Sequence, residues 1–567
     1  LNIKRVLSLI IILTLASTSV LTGCSKPKKV ETATKTEIDK SQYLNLTLDS
    51  EPKTLDQSKA KDRSSLQILS EVNEALTRIE TDSSGKEIVK PAGAKSWDVS
   101  EDRLKWTFHI RDNQWSDGRS VTAKDYEYGI KRTLDPQIQS PNAFLLYSIK
   151  GSKKYNDVKT NPNKNMSSNI VGVKALDDKT LEINLEYPCA YFINITSSIV
   201  MQPQRQDIVE KYKDRYGREK DKMVFCGPFI IKQWVHDDRV ELYKNDKYWD
   251  AKTVKLQKSN FKIFKQSNTI ANELLNGVLD GAQITNIEAK DKIKKQSKFD
   301  LVKLSEPTTD FEFFNEKNKI FSNVNIRKAF SLSIDREEVS KTLWKGLYIP
   351  AYAFVPPSLQ IGKENFREKA NFDPIKKLKE DGNKPRELLE KGLKELGMDT
   401  DPSKITIRYI QPGVDIKQKD IAEFFRKMYE KNLGINIKIE YADGDNFTKK
   451  IESGDYDFGS MTWFADYNDP MSEFYLWVTG SNIICTNWSN SKYDNLIINA
   501  ANLSQDKNED RFNAFKEAEN ILLAEDVVIA PTVYRSKELY KCKYVKNIMF
   551  TLFGAPYEIK YAYTEGR

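Results

Sequence analysis

From about residue 43 the chain switches repeatedly between two spacings of apolar residues. In YLNLTL (43–48), Leu44, Leu46 and Leu48 recur every second residue, which predicts a strand with one buried face. After a turn-rich stretch, LQILSEVNEALTRI (66–79) places Leu66, Leu69, Val72, Leu76 and Ile79 at helical spacing. LKWTFHIRDNQWSDGRSVTAKDYEYGIKRTLDP (104–136) predicts a strand, a Ser-Asp-Gly turn and a helix capped by Thr122. KTLEINLEYP (179–188) alternates until Pro188 stops it, and GPFIIKQWVHDDRVELYKNDKYWD (227–250) reads as a hairpin turning at Asp237-Asp238.

The most regular run lies between residues 405 and 463. ITIRYI (405–410) alternates as a strand. IKQKDIAEFFRKMYEKNLG (416–434) sets Ile421, Phe424, Phe425 and Met428 on one helical face, with Gly434 as its stop. INIKIEY (435–441) alternates again, a short helix ends at Gly454, and YDFGSMTW (456–463) supplies a third strand. A β-α-β-α-β run of this kind builds a parallel sheet with helices on its faces. Just past the third strand comes WFADYNDPMSEF (463–474), where Asp466, Asp469 and Glu473 stand among Trp463, Phe464 and Tyr467. Open α/β sheets bind ligands beyond the carboxyl ends of their strands, so this acidic, aromatic knot lies where a site is expected.

Composition narrows the function. The chain has 567 residues, enough for about three or four domain-sized units. Its 89 basic and 81 acidic residues leave a net +8 with the two signs interspersed. That is a charged surface rather than a nucleic-acid footprint, so no nucleic-acid partner is expected. Residues 1–23 read as a signal peptide: Lys4 and Arg5 precede an apolar stretch from Val6 to Val20 that is too short to span a membrane. The segment ends in Leu21-Thr22-Gly23-Cys24, and residues 24–43 read as a polar tether. Cys189, Cys226, Cys485 and Cys542 form no C-x-x-C pair, so a zinc or redox motif is not expected. Disulfides and isolated thiols both remain open.

Catalytic patterns are missing. His109 lies in a strand and His236 at a hairpin tip, neither near a nucleophile motif. The chain has no G-x-S-x-G, H-E-x-x-H or G-x-x-x-x-G-K-[ST]. Asp466 with Asp469 makes a weak case for a glycosidase pair, and ADYNDP lacks the spacing and distal glutamate of a calcium loop. No enzyme activity, no cofactor and no metal are expected.

Seven segments together resemble the extracytoplasmic oligopeptide-binding proteins of ATP-driven peptide importers, solute-binding protein family 5. They are SEPKTLDQ (50–57), WTFHIRDNQWSDGRSVTAKDYEYGIKRTLDP (106–136), VGVKALDDKTLEINLEYP (171–188), CGPFIIKQW (226–234), VNIRKAFSLSIDREEV (324–339), WFADYNDPMSEF (463–474) and TNWSNSKYDNLI (486–497). The resemblance implies an α/β, two-lobed periplasmic-binding-protein-like fold of class II type, with an extra inserted α/β domain and a hinge cleft. Carried over, the first lobe takes 44–73, 200–307 and 535–567, the insert 74–199, and the second lobe 308–534. Leu21 to Cys24 resembles a bacterial lipobox, which implies acylation of Cys24, palmitate among the acyl chains. The protein would then be anchored at the outer face of the cytoplasmic membrane of a Gram-positive type bacterium. The implied state is a monomer, and the implied partners are an oligopeptide and the permease subunits of an ABC transporter. Same-fold binders of a dipeptide, a metal-chelate or haem are the alternative, followed by a surface hydrolase or adhesin.

The resemblance also implies roles. Asp466 is expected to pair with the peptide's α-ammonium, because a carboxylate accepts charge-assisted hydrogen bonds; an Asx-turn or helix cap is the other reading. Trp463 is expected to wall a side-chain pocket or to be a core residue, with Tyr467 beside it. Lys61, Asp62 and Arg63 are expected to offer their backbones to the ligand as an added strand, or to be a solvated charge run. Tyr534 contacts ligand or packs in the core, and Asp469 caps the helix that follows it. Asn142 stands where some relatives carry tyrosine, and Ser460 where some carry a basic residue, which leaves open how a peptide's carboxyl end is held.

Overall fold

A computed structural model describes residues 37–81, 86–157, 165–481 and 484–567. The signal segment and Cys24 lie outside those residues. The stretch read as a tether is described from Glu37, and from Ile38 it is bound to the chain's other end. Ile38 bridges Glu565, and the Asp39 N–H donates to the Thr564 carbonyl at 3.2 Å.

The alternation of Tyr43–Leu48 is used as expected: Leu44, Leu46 and Leu48 are buried in one core. This strand edges a four-stranded sheet that continues with Lys258–Ile263, Arg239–Lys244 and Phe229–Val235. The last two form the expected hairpin, with Asp237 at positive φ in its turn. A second four-stranded sheet runs Ala94–Val99, Lys105–Ile110, Thr180–Asn184, Val173–Ala175. Helix Ala123–Leu134 accompanies it, with the Asp125 carboxylate accepting from the Thr122 N–H at 2.9 Å at its start.

The largest sheet has seven strands. Its main path runs Gly281–Gln283, Ile529–Cys542, Phe299–Phe314, Phe458–Phe464, Thr406–Pro412, Asn436–Ala442. Thr406–Pro412 lies parallel to both Asn436–Ala442 and Phe458–Phe464, with helices Ile416–Leu433 and Gly444–Ser453 in the crossovers. This is the β-α-β-α-β unit that the periodicity predicts. Gly434 and Gly454 end those helices at φ +77 and +72, a left-handed conformation that glycine adopts without strain.

Two strands of this sheet belong to several cores at once, with Phe311, Phe313 and Ile529 in one of them. Phe299, Leu539 and Tyr540 pack with Leu44 and Leu46, whereas Phe314, Ala530 and Val533 pack with Phe425 and Tyr429 of helix Ile416–Leu433. Between the two cores the register breaks: Ser305 faces Ser536 and Thr309 faces Tyr534, so residues 306–308 stand against Arg535 alone. The molecule is an α/β, two-lobed structure whose lobes share this pair of strands.

One expectation is corrected. The helical spacing of Leu66 to Ile79 overruns the helix, which spans Arg63–Val72 and closes with the Asn73 N–H on the Leu69 carbonyl. Thr77–Thr81 is a strand paired with Glu87–Pro91. Tertiary pairing overrides the period here, because the Ala75 and Leu76 carbonyls accept from the N–H groups of Gly93 and Ala94 at 3.0 and 2.9 Å. Cys189, Cys226, Cys485 and Cys542 are free thiols. Among the described residues no helix is long and apolar enough to cross a membrane.

Candidate functional site

A cavity of about 530 Å³ lies between the start of helix Arg63–Val72, the segments 141–145 and 194–202, the loop after strand Phe458–Phe464 and the C-terminal segment. Lys61, Arg63 and Leu66 reach it from the start of helix Arg63–Val72. Asn142, Leu145 and Asn194 form a second wall, and Phe464, Asp466, Tyr467 and Asn468 a third. Lys537 and Phe553 complete it from the C-terminal segment.

The third wall is a loop tied down at several points. The Asp466 N–H donates to the Ser472 hydroxyl at 2.7 Å, and the Trp463 indole N–H to the Ser472 carbonyl at 3.1 Å. Asp469 takes two bonds from Arg511, at 2.7 and 3.0 Å, and one from the Met471 N–H at 3.0 Å. The Asp469 and Arg511 side chains are 3% and 1% exposed. Tyr467 stacks on Tyr191, ring centroids 4.5 Å apart, and the Asn194 side chain donates to the Asn468 carbonyl at 2.9 Å. These contacts close one side of the cleft.

Asp466 is what this scaffold leaves over. It keeps accessible surface toward the cavity, while protein atoms crowd it from the sides. The accessible area makes it an exposed group, and the crowding makes it a poorly hydrated one. Both hold for a side chain on the wall of a confined space, and the second governs its chemistry. Desolvation alone pushes its carboxyl up to about 7. Among the described residues no hydrogen bond or ion pair reaches that carboxylate. Behind it, Glu473 is fully buried with neither carboxylate oxygen bonded, and burial first, then Asp466, pushes its carboxyl well above the ordinary range.

The strand leading to Asp466 has an open edge. Phe458–Phe464 pairs along its length with residues 308–314, but with Thr406–Pro412 only at Phe458 and Gly459. From Ser460 to Phe464 that second edge has no strand beside it among the described residues. Across the cavity, the N–H and C=O of Lys61 and the N–H of Asp62 likewise have no protein partner among the described residues.

The expected site residues divide. Asp466, Tyr467, Lys61 and Arg63 line the cavity together. Asp62 turns its carboxylate inward to cap helix Arg63–Val72, accepting from the Ser65 N–H at 2.9 Å and the Ser65 hydroxyl at 2.7 Å. Trp463 is half-buried against the core, and its neighbour Phe464 takes the wall. Tyr534 is buried with its hydroxyl on the Ala353 carbonyl at 2.7 Å. Asn142 lines the cavity and ties to the Ala60 carbonyl at 2.7 Å.

Sequence reasoning missed several wall residues. Lys537 is buried, and burial, with Arg63 nearby, pulls its ammonium down to about 8. Arg78 joins Glu74, at 3.0 Å, to Glu558, and all three line the cavity. Lys537 had no local signal, because the burial of its strand is set by residues remote in sequence. Phe464 was readable from strand parity, since it points away from Trp463. The Glu74–Arg78–Glu558 group joins residues remote in sequence and had no local signal. Among the described residues no group of three or more His, Cys, Asp or Glu could hold a metal ion.

Known proteins resemble this chain along most of its length. Residues 89–484 match the model of "Bacterial extracellular solute-binding proteins, family 5 Middle". The dipeptide-binding protein DppE of Bacillus subtilis is 34% identical over 517 residues, 91% of this chain and 90% of that protein. The oligopeptide-binding protein OppA of the same organism is 32% identical over 525 residues, 91% of each chain. The structure of Listeria monocytogenes OppA bound to peptide superposes with a TM-score of 0.71 at 29% identity, covering 93% of this chain and 99% of that one. The chain belongs to family 5 of the bacterial extracellular solute-binding proteins.

Proposed function

We propose that this protein captures peptides in the cavity between its lobes and delivers them to the permease of an ABC importer, held to the membrane's outer face by a lipid on Cys24. The observation that carries the reading is Asp466, a poorly hydrated carboxylate on the cavity wall with no partner among the described residues. A peptide's amino terminus supplies the missing cation, and charge-assisted bonds to it are roughly twice as strong as neutral ones. Two sets of unpaired backbone support pairing with the rest of the ligand: the edge Ser460–Phe464 on one lobe and Lys61–Asp62 on the other. Such bonds read the shape of a peptide without reading its sequence. Lys61, Arg63 and Lys537 offer positive charge to a ligand carboxylate on the same wall system. The names of the Bacillus relatives, for dipeptide and oligopeptide binding, support peptide as the cargo class. A ligand that bridges both lobes favours closure through the contacts it makes only in the closed form.

Titration calorimetry with a pentapeptide and its N-acetylated twin tests the reading. The free amine is expected to bind at least about tenfold tighter. Equal affinities reject the role of Asp466 and the reading built on it.

A further inference from the structure

A second cavity, about 150 Å³, lies further back along the strand Phe458–Phe464. It fills the fork where this strand parts from Thr406–Pro412, with Ser460, Thr462 and Pro412 on its walls and Lys417 and Gln418, at the start of helix Ile416–Leu433, closing it. Its floor is acidic. Asp310 and Glu312 stand directly opposite Thr462 and Ser460 on the neighbouring strand. Asp310 is committed, accepting from Arg535 at 2.8 Å and from the Thr462 hydroxyl at 2.7 Å. Glu312 is not. It is 1% exposed, the Tyr409 hydroxyl donates to its Oε1 at 2.8 Å, and its Oε2 has no partner among the described residues. A buried carboxylate oxygen without a donor is costly, and a native fold retains one where something else supplies the donor.

We propose that this chamber receives one cationic side chain, lysine or arginine, of a peptide whose amino terminus sits at Asp466, and that Glu312 selects it. The inference rests on the peptide reading above. Extended backbone advances about 3.3 Å per residue, so Thr462 lies about 13 Å back from Asp466. A ligand running along the open edge brings about its fifth residue beside the fork. The chamber holds a single side chain, since cavities of about 150 Å³ admit a benzene-sized guest. Ser460, opposite Glu312, is small enough to leave that space clear. Two cations also face the chamber: Arg535 is paired with Asp310, and the Lys417 ammonium lies over the Trp344 ring at 5.1 Å. The unmet demand is therefore that of Glu312, and it is for a donor. Burial, against the Tyr409 bond, holds the Glu312 carboxyl well above its ordinary range, so a ligand cation also supplies the charge that lets it ionise.

Calorimetry of the whole chain with alanine pentapeptides tests this, with lysine or norleucine at the third, fourth or fifth place. At one of these places lysine is expected to bind at least about tenfold tighter than norleucine. In Glu312→Gln that ratio is expected to fall below about threefold. If both peptides bind equally at every place, the chamber proposal fails and the peptide reading stands. If no peptide binds, the peptide reading fails and takes the chamber with it. A lysine preference that persists in Glu312→Gln removes Glu312 from the selection. A gain from a free carboxyl end over its amide, with none from lysine, overturns the proposal in favour of chain-end capture by Lys417 and Arg535. The wild-type comparison decides even where the variant fails to fold.

Discussion

Asp466 and Asp469 lie on one loop, three positions apart, and carry the same carboxylate. On the core side, Asp469 is enclosed by Arg511 and the Met471 N–H, so its charge is balanced by the protein and its bonds shape the loop. On the cavity side, Asp466 is crowded but unpaired among the described residues. Burial alone does not separate these two acids; the presence of a protein partner does. The first kind is expected to matter for stability and the second for binding, and each of the following measurements bears on that division.

The largest effect is expected from Arg511→Met, which strands Asp469 as a buried unpaired charge. Loss of about 3–5 kcal/mol of stability is expected from urea unfolding. Asp466→Asn should leave the unfolding midpoint unchanged or slightly raised, yet cost about 2–3 kcal/mol of peptide affinity, roughly 30- to 150-fold by calorimetry. A variant of Asp466 that unfolds the protein, or one of Arg511 that does not, would erase the distinction.

Protons provide a finer test. The Asp466 carboxyl sits near 7, above its ordinary 3.8. The stability linked to its protonated form is fully present below about 3.8 and lost as pH rises through about 7. An arriving ammonium favours the ionised form, so binding should expel a proton. Calorimetry in two buffers of different ionisation heat should show close to one proton released at about pH 6 and little at about pH 8. Peptide affinity should weaken as pH falls below about 7. The smallest effect is expected at Asp62, whose side chain is a cap: Asp62→Ala should cost about 1 kcal/mol of stability.

Much of the scaffold around this loop could be read from residue order. The alternation in 405–410, 435–441 and 456–463, with helix stops at Gly434 and Gly454, specified three parallel strands and the edge at which Asp466 emerges. What stayed hidden depended on partners distant in the chain. Leu76 and Ile79 continue a helical period, but residues 93–94 and the strand Glu87–Pro91 capture that segment as extended chain. Glu312, Glu473 and Lys537 look like surface positions by residue type and are buried in the fold. Trp463 and Phe464 are both large and apolar, and which of them faces the cavity is settled by strand parity once the core side is known.

The ribbon shared by the lobes has a mechanical consequence. A pair of hydrogen-bonded strands resists sliding and shear, and the register of this pair shifts twice, at residues 306–308 and between Asp310 and Phe311, so flexing is expected there, about a preferred axis. The two jaws of such a clip return to the same meeting line at every stroke. After each closure of that kind the Asp466 carboxylate and the Lys61 backbone, on opposite walls of the cavity, would face one another at the same spacing.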